Sequence, residues 1–118
     1  MELECGMYVR TKDGKIAKFI KYDEKDKNEL VTDYYKYSTI WIKDIVKASF
    51  DIIDILEVED YVNGYLVTFV YKPDGDKVFR IELERDTLKG HIISNSSQIK
   101  SIVTHEQMEQ MSYKVGEW

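Results

Sequence analysis

The sequence lacks the features that mark several classes of protein. Its 118 residues contain a single cysteine, Cys5, so no intramolecular disulfide can form, and this fits a reducing compartment. One proline and six glycines are too few for a fibrous or low-complexity chain. No apolar run reaches the length of a membrane span, and the N-terminal segment has no signal-peptide core. We therefore expect a globular protein of the cytoplasm without a membrane segment.

Positive charge is also scarce. The chain has 17 lysines and arginines against 22 aspartates and glutamates, a formal net charge of −5. Both halves of the chain have an acidic excess. A sequence-independent grip on nucleic-acid phosphates needs concentrated lysine and arginine, so the bulk charge argues against a general nucleic-acid binder. Only a local basic patch could support such a function.

Motifs of catalysis and metal binding are missing. The chain has no nucleophile elbow, no phosphate-binding loop and no dinucleotide fingerprint. His91 and His105 lie far apart and in no metal-ligand spacing with Cys5. The acidic loop 23–29 lacks the spacing of a calcium loop and is interrupted by lysines. We predict a non-enzymatic protein without a cofactor or metal, in which Cys5 is an apolar filler rather than a nucleophile.

A weak internal repeat runs through the chain. "GKIAKFI" at 14–20 corresponds to "GYLVTFV" at 64–70, and "IKDIV" at 42–46 corresponds to "IKSIV" at 99–103. The two matches occur in the same order and at comparable spacing. This pattern indicates a duplicated unit of about fifty residues.

Each unit shows the pattern of a small β-barrel. Short apolar segments alternate with turn signals, and five such strands in about fifty residues are typical of an SH3-like barrel. We predict a mostly β chain of two tandem SH3-like barrels, residues 1–49 and 50–118. The repeated strand is apolar on both faces, so we expect each barrel to cover the other. Segment 50–59 is too apolar for a free linker and is predicted to turn tightly into the second unit.

The C-terminal region has helical signals. Thr104 and Gln107 have the spacing of a capping box, and Met108 and Met111 share one helical face. These signals predict a two-turn helix at about 105–111. We also expect Trp118 to fold back onto the two methionines, which favours a monomer over a dimer.

Aromatic side chains concentrate in "TDYYKYSTIWI" at 32–42. Trp41 is predicted to lie in the core, and the tyrosines are predicted to divide between core and surface. Outward tyrosines beside the acidic loop would form a contact surface for another protein. The candidate partner-binding residues are Tyr34, Tyr35, Tyr37, Asp23, Glu24 and Asp26.

Basic side chains surround the first hairpin, in "GMYVRTKDGKIAKFI". This stretch resembles the glycine-containing strands of KOW and Tudor-type barrels, a resemblance that permits contact with RNA, DNA or an acidic protein. The candidate nucleic-acid contacts are Arg10, Lys12, Lys15 and Lys18. A solvated hairpin tip is the favoured interpretation.

Most of the chain resembles a group of small uncharacterised proteins encoded by phages and prophages of clostridia and related Firmicutes. The resemblance lies in "GMYVRTKDGKIAKFI", "DIVKASFDIIDILEVEDYVNGYLV" and "IKSIVTHEQMEQMSYKVGE". Glu59 departs from it, because a glycine is expected there, and this puts the tight first turn of the second barrel in question. The resemblance implies that the protein binds and inhibits a host machine in the host cytoplasm, such as a CRISPR–Cas or other defence effector.

Two functions therefore stand as hypotheses. The first is a phage-encoded binder of a host protein that acts by protein–protein contact. The alternative is a nucleic-acid-binding regulator that uses the basic first hairpin.

Overall fold

The computed structural model describes residues 2–34, 38–72, 79–84 and 91–111. Within these ranges the chain is mostly β, with two five-stranded antiparallel sheets and one short helix, α1, at His105–Met111. The strands are β1 Tyr8–Thr11, β2 Ile16–Tyr22, β3 Glu29–Thr32, β4 Thr39–Trp41, β5 Ile45–Ser49, β6 Tyr61–Val62, β7 Tyr65–Tyr71, β8 Arg80–Leu83, β9 His91–Ile93 and β10 Ile102–Val103. Short 3₁₀ turns lie at Ile42–Asp44, Ile52–Ile55 and Ser96–Gln98.

The two sheets have the same strand order. The first runs β4-β3-β2-β1-β5 and the second runs β9-β8-β7-β6-β10. In each, four consecutive strands form a meander, and the fifth returns to pair with the first. The edge strands of a sheet do not pair with each other among the described residues, so both sheets are open. The prediction of a mostly β chain with a short C-terminal helix is confirmed.

Each sheet covers its own apolar core. The first core consists of Val9, Ala17, Phe19, Leu30, Ile40 and Ile45. The second consists of Ile53, Leu56, Val62, Val67, Phe79, Ile81, Leu83 and Ile93. Ile53 and Leu56 belong to the connecting segment, and Phe79 precedes β8. The core residues that lie in strands come from inward-facing positions, as expected when one face of each strand packs inward.

Positive backbone φ angles occur at the turns that begin each sheet. Gly14 and Gly64, which the repeat aligns, have φ angles of +87° and +86° between the first two strands of their sheets. Glu59 has a φ of +81°, although a side chain is disfavoured in this region. The turn therefore forms at the position where the resemblance leads one to expect glycine, and it forms with a strained glutamate.

The prediction for Trp41 is wrong. Its side chain is 44% exposed, and the Lys43 ammonium lies 5.3 Å from the ring centroid. Strand β4 has a single inward position, and Ile40 occupies it opposite Leu30. Because neighbouring residues of a strand point to opposite faces, Trp41 faces outward.

The segment that connects the sheets differs from the predicted simple turn. It contains the 3₁₀ turn Ile52–Ile55, and Ile53, Ile55 and Leu56 are buried. Its apolar composition is therefore explained by packing within the body of the protein.

Helix α1 begins where its capping signals predict. The Thr104 backbone N–H donates to Gln107 Oε1 at 3.1 Å, and the Gln107 N–H donates to Thr104 Oγ1 at 3.3 Å. These reciprocal bonds are the predicted capping box. In the part of the chain that the structure describes, no helix is long and apolar enough to cross a membrane. The predicted fold-back of Trp118 lies outside the described residues.

Candidate functional site

Arg10 is the centre of a polar network between the two sheets. It lies in β1 and is 0% exposed. Its Nη1 and Nη2 atoms donate to Asp60 Oδ2 and Oδ1 at 2.5 and 2.9 Å, and Nη1 also donates to the Ile55 carbonyl at 2.9 Å. Asp60 is likewise 0% exposed. A two-point bond between guanidinium and carboxylate is a strong and directional interaction, so it holds β1 against the start of the second sheet.

Three backbone or side-chain groups complete the network around this pair. Glu106 of α1 accepts from Arg10 Nη2 at 2.7 Å. Asp60 also accepts from the backbone N–H groups of Glu57 and His105, at 2.8 and 3.0 Å. The network therefore joins the first sheet, the connecting segment and α1. Removal of one partner from a buried ion pair costs about 3–5 kcal/mol because the other charge is left uncompensated.

Glu57 forms the outer, half-buried edge of this network. Its Oε1 atom lies 2.9 Å from His105 Nε2, and its Oε2 atom lies 2.9 Å from Lys47 Nζ. Burial opposes ionisation of Glu57, but the bonds to His105 and Lys47 and the charge of Arg10 lower its pKa to about 2. The bond to Glu57 outweighs desolvation and raises the pKa of His105. Both changes favour the charged pair.

The same groups bring three potential metal-binding atoms together, but their chemistry opposes a metal ion. One atom each from Glu57, His105 and Glu106 lies within 4.8 Å of the others. Arg10 and Lys47 already neutralise the two carboxylates. The raised pKa of His105 also favours a proton on the nitrogen that a metal would need. We therefore interpret this cluster as an ion-pair network.

The structure disperses the predicted basic patch. Arg10 is buried in the network described above, so it does not contact solvent. Lys12 pairs with Asp44 at 3.1 Å, and Lys15 lies 3.6 Å from Asp13. Lys18 lies over the Tyr8 ring, 5.7 Å from its centroid. The patch thus loses its arginine, and two of its lysines are next to carboxylates.

At the tip of the first hairpin the side chains of Lys12 and Asp13 are exposed, as predicted, whereas Gly14 is buried against α1. Thr104 Oγ1 donates to the Gly14 carbonyl at 2.7 Å, and Gln110 Nε2 donates to the Asp13 carbonyl at 2.9 Å. A Cβ atom at Gly14 would collide with Thr104 Oγ1 and with Cβ of Glu106. Gly14 is therefore required both for its backbone conformation and for this close approach.

Of the predicted partner-binding residues that the structure describes, Tyr34 lies apart from the acidic loop. The acidic loop precedes β3 and Tyr34 follows it, so they lie at opposite ends of that strand. Asp23 and Asp26 accept backbone N–H bonds within their own loop, and Glu24 is exposed. Tyr34 is half-buried against the first core. Tyr35 and Tyr37 lie outside the described residues.

An exposed aromatic surface lies instead on the second sheet. Phe69 and Tyr71 of β7 are 45% and 53% exposed, and their rings are nearly parallel with centroids 6.4 Å apart. Ile92 of β9 is 44% exposed. Glu82 of β8 pairs with Phe69 on one side and with Ile92 on the other, so the three residues form a row across the sheet. Arg80, opposite Tyr71, forms an ion pair with Glu82 at 2.8 Å. We call these five residues the aromatic face.

The sequence pattern does not predict the aromatic face, because it indicates that Phe69 is an apolar residue for packing. The residue before it, Thr68, has no partner in the β7–β8 register. Such an extra residue is a β-bulge, which changes the direction of the following side chains. The only signal in the sequence was the i, i+2 spacing of Phe69 and Tyr71, which does not reveal the side they face.

A groove of about 580 Å³ separates the first sheet from α1. It lies between the start of β2, strand β10 and the helix. Its lining is mixed, with apolar and amide side chains and one carboxylate: Ile16, Asp33, Tyr34, Ile102, Val103, Gln107, Gln110 and Met111. Of the predicted partner-binding residues, Tyr34 lines this groove.

Comparison with known proteins finds no relative of this chain. No family model matches the chain, and no curated protein or solved structure matches it.

Proposed function

We propose that this chain is a non-enzymatic binding protein that uses its aromatic face to cover a surface on a partner protein. The exposure of Phe69, Tyr71 and Ile92 side by side is the observation that carries the proposal. Contiguous apolar side chains on a soluble protein mark sites of interaction more often than isolated ones do.

The composition of the aromatic face fits a protein partner. Aromatic residues and arginine are enriched at the centres of protein interfaces, where they supply most of the binding energy. Phe69 and Tyr71 lie two residues apart on the same face of β7, so a partner could bury both rings with little rearrangement of the strand. The Arg80–Glu82 ion pair lies beside the rings and offers polar groups that would orient the partner.

The resemblance to small phage and prophage proteins suggests the class of partner. We propose a host protein of the cytoplasm, such as a CRISPR–Cas or other defence effector, which the chain inhibits by occupying a surface. In this proposal each sheet is an open SH3-like barrel, supported by the shared order in which the fifth strand returns to the first. Barrels of this kind serve many unrelated binding functions, so the fold alone does not identify the partner.

The nucleic-acid alternative has weaker support. Arg10, the arginine among its candidate contacts, is buried. The hairpin that would bind the nucleic acid packs against α1 at Gly14. A mobility-shift assay with single- and double-stranded DNA and RNA at low salt separates the two functions. We expect no shift at micromolar protein. A shift that weakens when Lys12 or Lys18 is replaced by alanine would favour the alternative.

The protein-binding proposal is tested by comparing three forms of the chain in a host lysate. These are the wild type, a Phe69→Ser/Tyr71→Ser double variant, and Trp41→Ser, which changes an exposed aromatic residue on the other sheet. Mass spectrometry should detect a host protein that the wild type and Trp41→Ser enrich equally. The double variant should retain it at least about tenfold less, the effect expected when a hot spot is lost.

Two outcomes would contradict the proposal. In one, the double variant retains the same host protein as well as the wild type does. In the other, no host protein is enriched by any form. Circular dichroism of the double variant must match that of the wild type, because the comparison requires a folded sheet.

A further inference from the structure

Helix α1 contributes almost nothing to the apolar cores. None of its seven residues is buried, and neither core cluster includes one of them among the described residues. A helix of this length is not stable by itself in water. Its position must therefore depend on the contacts that it makes with the rest of the chain.

The hydrogen bonds of the helix run mainly to the first sheet and the connecting segment. Glu106 binds Arg10, and Gln110 binds the Asp13 carbonyl. His105 binds Glu57 through its side chain and Asp60 through its backbone N–H. The cap residue that precedes α1, Thr104, binds the Gly14 carbonyl. When the helix moves away, water can form hydrogen bonds with the groups that are released. Water cannot compensate in this way for the loss of apolar packing.

Release of α1 would leave the buried pair beneath it intact. Arg10 keeps its two bonds to Asp60 and its bond to Ile55, because none of these involves the helix. In the closed arrangement Arg10 Nε is buried without a hydrogen bond among the described residues, and it lies 3.5 Å from Glu57 Oε2. The closed arrangement therefore does not satisfy every donor, and opening would give this nitrogen access to water.

We propose that α1 is a detachable latch. When it is closed, it seals the Arg10 network and forms one wall of the groove that contains Ile16 and Ile102. When it opens, it uncovers the Arg10 guanidinium, the Gly14 carbonyl and the groove, while both sheets keep their cores. This inference does not depend on the aromatic face, and its test involves no partner protein.

Amide hydrogen exchange, followed residue by residue by NMR on the full chain, tests the latch. The core amides of β7 and β8 should exchange only when the whole protein unfolds. The amides of α1, including the first-turn groups of His105 and Gln107, should exchange at least about tenfold faster than these core amides. Glu106→Gln should accelerate all α1 amides about tenfold or more, because it removes a charge-assisted bond, and should leave the β7 and β8 amides unchanged.

A matched control makes the same chemical change elsewhere. Glu84→Gln alters an exposed carboxylate beyond β8 and should leave α1 exchange unchanged. The proposal is overturned if α1 amides exchange at the rate of the core amides. It is also overturned if only the last turn exchanges quickly while His105 and Gln107 stay protected, since that pattern is simple fraying of the helix end.

Discussion

Strands β2 and β7 occupy the same position in sheets of the same order, yet they place equivalent phenylalanines on opposite sides. Phe19 is 1% exposed and belongs to the first core, whereas Phe69 is 45% exposed. In β2 the unpaired bulge residue, Ile20, comes after Phe19. In β7 the bulge residue, Thr68, comes before Phe69.

The position of one bulge thus decides whether an aromatic ring stabilises the fold or remains exposed. Before the bulge, Ala17 and Val67 are both buried, as the repeat predicts. After it, Val70 rather than Phe69 packs against the second core. A repeated sequence can therefore keep its strand order while one copy exposes an aromatic surface that the other copy buries.

A second difference between the sheets lies in their first strands. By register, Arg10 pairs with Ile16 in the first sheet, and Tyr61 pairs with Leu66 in the second. The repeat aligns Ile16 with Leu66, so Arg10 and Tyr61 are equivalent positions. Only the first sheet places a charge there, and that charge joins the two sheets through Asp60.

The largest expected effect comes from breaking the connection between the sheets. Asp60→Asn leaves the buried Arg10 charge without its carboxylate and should lower the free energy of unfolding by about 3–5 kcal/mol. Asp54→Asn is the matched control, because Asp54 pairs with Lys72 near the surface. It should cost less than about 1 kcal/mol. Urea denaturation measures both, and equal effects would show that the network does not connect the sheets.

The stability of the protein should depend on pH through Glu57 and His105, at the outer edge of the same network. The pKa of His105 is raised in the folded protein. Its contribution to stability is therefore complete below its ordinary pKa of about 6.5 and is lost as the pH rises through the pKa of the folded state. The pKa of Glu57 is lowered to about 2, so its contribution to stability is present above its ordinary pKa of 4.5 and is lost as pH falls towards 2.

Melting temperatures measured across pH should therefore be highest between about 4.5 and 6.5. His105→Gln should flatten the decline from neutral to alkaline pH and leave most of the acid side unchanged. A variant with the same alkaline decline as the wild type would exclude His105 as its cause.

A smaller effect is expected where the second sheet begins. Glu59→Gly should stabilise the protein by about 1 kcal/mol, because glycine accepts the φ of +81° without the steric cost of a side chain. The same substitution at Glu84 should be destabilising, since glycine there only increases the freedom of the unfolded chain. Thermal unfolding of the two variants compares them, and a loss of stability in Glu59→Gly would mean that the turn is not strained.

Features that depend on a few neighbouring residues were easier to predict from the sequence than features that depend on contacts between distant residues. The capping box of α1 lies within four residues, and the positive-φ turn at Gly14 depends on one glycine, so both could be predicted from the sequence. The inward direction of Ile40 instead of Trp41 depends on register with a neighbouring strand.

The Arg10–Asp60 pair joins residues fifty positions apart, and nothing in either local sequence identifies the other partner. The aromatic face depends on the bulge at Thr68, which the strand pattern does not reveal. These features result from tertiary packing, which overrides the strict alternation on which strand prediction depends.

The central claim is that Phe19 maintains the fold whereas Phe69 is available to a partner. Paired denaturation of Phe19→Ala and Phe69→Ala tests it most directly. We expect Phe19→Ala to lower the free energy of unfolding by about 3–5 kcal/mol and Phe69→Ala to change it by less than about 1 kcal/mol. Losses of similar size in the two variants would show that both rings are core residues and would contradict the account.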